Sequence, residues 1–179
     1  MSYILTNIYP DGMPDPKSLN QDEIHQQRWK DYHQHLESKR NKMTDTLQEF
    51  AFAGWHYDFT DHKCPHDGWL ENLNMVEKVV NDKDGNEARL IDISIKLLGA
   101  YHDLYIYLEY YRVKTYCFDQ PRRDSVFPHN RSTHSDWLLD ELVIEGKKNY
   151  IHKIIWSSGA TWYIHFEDIK VSFEEISEK

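Results

Sequence analysis

Cysteine is scarce in this chain. It has two, Cys64 and Cys117, too few for a disulfide framework. Glycine and proline are thin as well, at 7 and 6 among 179 residues, and no repeat or low-complexity tract runs through the sequence. No uncharged apolar run approaches the roughly 20 residues that a membrane-spanning helix needs. Met1-Ser2-Tyr3-Ile4-Leu5-Thr6 lacks the basic region and following apolar run of a secretory signal. A cytoplasmic protein outside the membrane is therefore the expectation. Positive charge is also in deficit: 21 Lys and Arg stand against 30 Asp and Glu, a formal net charge of -9. The acids are spread along the chain, with no acidic tail. Such a diffuse negative field repels phosphate backbones, which argues against nucleic-acid binding, and favours encounter with a basic partner. Gly-x-Ser-x-Gly elbows, phosphate loops and dinucleotide fingerprints are missing too, so no cofactor is implied.

Aromatic residues are plentiful, at 14% with 12 Tyr and 6 Trp. They bury large areas while keeping a polar tip, and the length suits one domain over residues 1–179. The chain changes character at Cys64-Pro65-His66-Asp67-Gly68-Trp69-Leu70. Before this joint, apolar residues recur at helical spacing; after it they alternate as in strands. Residues 1–19, with three prolines, read as an arm, and Asn20 with Glu23 as a helix cap. Trp29, Leu36, Met43 and Phe50 fall seven apart, with Tyr32 and Leu47 in the same stripe, and predict a helical part over 20–53. One helix over about 21–39 and a second opened by Thr44 fit this pattern; a single bent helix fits it too.

In the sheet part, 64–173, Ile91, Ile93, Ile95 and Leu97 alternate with polar residues. A change of phase near Tyr110-Tyr111-Arg112 predicts a bulge, and another after Glu167-Asp168 predicts a bend. The stretch 119–135, with Arg122, Arg123 and Arg131, reads as a long loop. Residues 150–156 and 162–166 form the clearest hairpin, and the tail from Glu174 is expected to fray. The fold class is α+β: N-terminal helices on a mostly antiparallel sheet of about six or seven strands.

Several short motifs follow in order: His66-Asp67, Tyr111-Arg112-Val113, Trp137-Leu138-Leu139-Asp140-Glu141, Tyr150-Ile151-His152-Lys153-Ile154-Ile155, Gly159 and Ile164-His165-Phe166-Glu167-Asp168-Ile169. Over roughly residues 64–173 they resemble a loose set of small bacterial proteins that overlaps the immunity proteins of polymorphic toxin systems. The resemblance implies a non-enzymatic protein that binds and blocks one cognate toxin domain, and it carries over no catalytic residue. Trp137, Asp140, Glu141, Glu167 and Asp168 are the expected partner-binding surface, an aromatic anchor among acids that meet a basic toxin. Monomer and homodimer both remain open, because exposed strand edges invite pairing.

The alternative is a metal-dependent hydrolase. His56, His62, Cys64, His66 and Asp67 crowd one loop, and His62, Cys64, His66 and Asp67 are its candidate ligands. No second ligand pair appears at zinc-site spacing. The competing reading has Asp67 orienting His66 at the start of the sheet. Cys64, beside Lys63, is the better candidate nucleophile; Cys117, after Tyr116 in a strand, is expected in the core.

Overall fold

The computed structural model describes residue 4 and residues 21–81, 84–119 and 134–177, the side chains of residues 21–25 excepted. Within them the chain forms two helices and eight strands, the strands in two antiparallel sheets of four. Helix α1 (Gln21–Lys39) runs into a 3-10 turn at Arg40–Lys42, and α2 spans Asp45–Ala51. Met43 between them is extended (φ -87, ψ 149), which breaks the hydrogen-bond ladder and excludes one bent helix. Thr44 caps α2, its hydroxyl accepting the Leu47 N–H, as a threonine does at that position. Tyr32, Leu36, Met43, Leu47 and Phe50 are buried and Trp29 packs beside them. The seven-residue stripe is a core face. The Asn20 and Glu23 cap, the arm apart from Ile4, and Arg122, Arg123 and Arg131 lie outside the described residues.

The first sheet has the order β1 (Trp69–Asn81), β2 (Glu87–Leu98), β3 (Leu104–Val113), β8 (Asp168–Glu175). The second has the order β4 (Thr115–Asp119), β7 (Thr161–Phe166), β6 (Asn149–Trp156), β5 (Trp137–Gly146). Eight strands in two sheets replace the six or seven in one that the sequence suggested. The physical reason is a corner crossed by two strands side by side. Arg112, near the end of β3, takes a left-handed backbone (φ 52), and its N–H donates to the Asp92 carboxylate at 3.0 Å. On the returning strand, the Glu167 N–H donates to the Tyr111 carbonyl at 3.1 Å. Pairing holds on both sides of the turn, Tyr111 opposite Asp168 and Thr115 opposite His165. The expected bulge is present, Tyr111 and Arg112 of β3 lying where β2 has only Asp92, and with the expected bend at Glu167 it forms this one corner.

The opposite side is tied at the joint. Asp67 N–H donates to the Trp137 carbonyl and Trp137 N–H to the Gly68 carbonyl, both at 2.9 Å, around a single bridge between Trp69 and Asp136. Between the sheets lie Ile93, Ile95, Ile106, Leu108 and Tyr110 facing Tyr150, Ile154, Trp156, Trp162 and Phe166. Trp156 meets Trp162 edge-on at 4.9 Å and Trp137 at 5.4 Å, contacts worth about 0.5–1.5 kcal/mol each beyond the area they bury. Order at the C-terminal end extends further than expected: β8 includes Glu174 and Glu175, and Ile176 N–H donates to the Asp103 carbonyl at 2.8 Å. Cys117 is exposed on β4, not in the core, because its strand is an edge. No helix among the described residues is long and apolar enough to cross a membrane.

Candidate protein-docking surface

His56, in the loop before the joint, joins Tyr110, Trp137 and His152 in an interior polar network, and Asp140 on β5 is its centre. One carboxylate oxygen accepts from His56 Nε2 at 2.9 Å and His152 Nε2 at 2.8 Å. The other accepts from Trp137 Nε1 at 3.1 Å. Burial alone would raise the Asp140 pKa; the two imidazoles outweigh it and hold the carboxyl well below its usual range. His152 Nδ1 sits 2.7 Å from the Tyr110 hydroxyl. Burial lowers the His152 pKa against the pull of Asp140 and pushes the Tyr110 phenol far up. Tyr110 therefore donates to a neutral His152, which donates to Asp140. His56 reaches a second acceptor as well, the Phe50 carbonyl 3.2 Å from its Nδ1. All three side chains are buried. The network is a strut that fastens the joint to β5 and β6.

This placement corrects the expected partner surface. Trp137, Asp140 and Glu141 are buried, so no partner reaches them. Glu141 accepts from the Ile4 backbone N–H at 2.8 Å and stands 3.8 Å from Lys153 Nζ. Glu167 and Asp168 serve the corner: Glu167 pairs with Arg112 at 3.4 Å, and Asp168 accepts the Thr44 and Thr46 hydroxyls that start α2. Alternation on β5 fails as a guide because α1 reaches its outer edge, where Tyr32 OH accepts the Leu142 N–H at 2.8 Å.

What the joint does expose is a row of aromatic rings, each beside a histidine. Phe59 stacks on His66 at 4.0 Å, Tyr101 on His62 at 3.9 Å, and Trp69 meets His102 edge-on at 4.6 Å. Phe59, Trp69 and Tyr101 are 49%, 47% and 50% exposed, which is costly for rings of this size unless something covers them. Aspartates surround them. Asp103 pairs with His62 at 2.5 Å, Asp136 accepts from Trp69 Nε1 at 2.8 Å, and Asp67 lies 3.5 Å from His66 Nε2. Asp58, whose carboxyl its bonds to Thr60 hold below the usual range, precedes Phe59. Sequence reasoning missed these rings because β1 and the β2–β3 turn bring them together from three separate stretches.

Two hollows adjoin the rings. A cleft of about 180 Å³ runs between Ile4, Arg28 and Trp29 on one side and Phe59, His66, Leu138 and Leu139 on the other. It is largely apolar. A wider, open hollow of about 620 Å³ is lined by Asp61, His62, Lys63, Asp103 and Glu175 among others.

The four candidate metal ligands go separate ways. His66 Nδ1 donates to the Leu138 carbonyl at 2.7 Å, so β5, and not Asp67, orients this ring. Cys64 is buried with its thiol on the His56 carbonyl, and burial pushes its pKa up to about 12. That thiol is neither a ready ligand nor a nucleophile. Among the described residues no three His, Cys, Asp or Glu side chains converge as a metal site. No family model matches the chain, and no curated protein matches it.

Proposed function

We propose that this chain is a non-enzymatic, cytoplasmic protein-binding module that covers a basic protein domain, in the manner of an immunity protein on its cognate toxin. One observation carries the reading: three exposed aromatic rings, Phe59, Trp69 and Tyr101, set among aspartates at one end of the molecule. Rings of this kind dominate binding energy where they bury against a partner. Their faces also attract lysine and arginine side chains, and the flanking carboxylates pair with the same cations. The apolar cleft between α1 and β5 takes an apolar side chain of the partner, since Ile4, Trp29, Leu138 and Leu139 line it. The acidic hollow beside Tyr101 takes its cations. Occlusion of the partner's basic cleft then needs no chemistry from this chain.

The test is calorimetry with the product of the neighbouring upstream gene, beside co-expression for protection of cells. The reading expects a complex that Phe59→Ala, Trp69→Ala and Tyr101→Ala each weaken roughly tenfold or more, about 1.4 kcal/mol. Absence of both complex and protection would remove it, as would a complex indifferent to all three changes.

A further inference from the structure

The first sheet ends on β1, a strand of 13 residues whose outer edge has no strand partner among the described residues beyond the bridge at Trp69. Leu73, Met75, Val76, Val79 and Val80 are exposed along it, Val79 at 61%. Natural edge strands are blunted by unpaired charges, proline or bulges, because a free edge is a template for pairing. Here the one bulge lies at the start, between Leu70 and Asn72, and leaves residues 72–81 regular. The charges of that stretch are already taken by β2, Lys78 by Asp92 at 2.7 Å and Glu77 by Arg89 at 3.4 Å. Nothing in the regular stretch repels an incoming strand.

We infer that this edge pairs with the same edge of a second copy, antiparallel across a two-fold axis perpendicular to the sheet at Val76. Such an axis sets one residue opposite its own copy, with equal numbers of residues to either side. The midpoint of 72–81 permits Val76 or Glu77 at that place. Glu77 would face its own carboxylate, and like charges directly opposite destabilise a pair. With Val76 on the axis, Leu73 faces Val79 of the second copy on the side that carries Ile91, Ile93 and Ile95 of β2. On the other side Asn74 faces Lys78 and Asn72 faces Val80. Each charge meets a neutral residue, and the two first sheets become one sheet of eight strands. A copy of β1 also supplies an open edge of matching length. The inference stands apart from the docking surface, which lies at the joint.

Sedimentation equilibrium on the full chain, up to about 100 μM, tests it, with a dimer of Kd below about 10 μM expected. Val76→Lys sets two ammonium groups face to face and returns the chain to monomer, with circular dichroism confirming the fold; Tyr163→Lys on β7 leaves the dimer intact. For the register, Val76→Cys in a Cys117→Ser background forms an intermolecular disulfide on mild oxidation, since opposed residues lie within bridging distance. Asn74→Cys alone does not. A monomer at about 100 μM overturns the inference. So does a dimer untouched by Val76→Lys, or cross-linking through Asn74→Cys as fast as through Val76→Cys.

Discussion

Asp140 shows how one carboxylate can hold three elements together. Removed from water, it would protonate unless its oxygens were filled, and His56, His152 and Trp137 fill them. The arrangement carries a pH dependence whose sign follows from His152. Burial depresses the His152 pKa from 6.5, so the unfolded chain takes up this proton before the folded one does. Stability is therefore complete above about pH 6.5 and declines as pH falls below it, by up to about 1.4 kcal/mol per pH unit. Asp140, also depressed, adds a loss only below the ordinary carboxylate range near pH 4. Urea unfolding between about pH 5 and 7 should show that decline, and His152→Gln should flatten it. An equally steep profile in the variant would assign the effect to other histidines.

At the scale of elements, the joint depends on a close approach that only glycine allows. A Cβ at Gly68 would stand 2.8 Å from the Pro65 carbonyl oxygen and 3.3 Å from that of Leu98. Both are backbone atoms and neither can swing aside. Gly68→Ala should destabilise the fold by about 1–3 kcal/mol in chemical denaturation and loosen Trp69 in its place. Local signals of this sort were legible beforehand. The helix bounds at Gln21 and Lys39, the Thr44 cap and the alternation through Ile93 and Ile95 all follow from short-range periodicity and capping chemistry. The bulge at Tyr110 to Arg112 was legible in the same way; the division into two sheets was not, because the change of phase does not say whether the chain stays in one sheet or passes into another. The site was misplaced for a related reason. Acidic residues near Trp137 suggest an outer face until α1 is known to reach the edge of β5, and that contact joins residues more than a hundred positions apart.

For the molecule as a whole, charge separates its two proposed contacts. Docking of a basic domain at the joint gains from the net charge of -9, whereas pairing through β1 brings two such copies together. Raising the salt from about 0.05 M to 0.5 M should slow the first association by roughly tenfold. The same change should tighten the second, since it screens repulsion between like molecules. Stopped-flow mixing and sedimentation at the two salt levels would read these opposite trends; parallel trends would mean that one contact is misassigned. The corner sets the manner in which any partner is met. The chain turns from β3 into β4 at Lys114 and from β7 into β8 at Glu167, side by side, and the joint is laced at the far side. Among the described residues the two sheets are thus tied on both sides. A partner of the proposed kind would meet the contour already present, and variants at that end should differ in how long the complex lasts more than in how fast it forms.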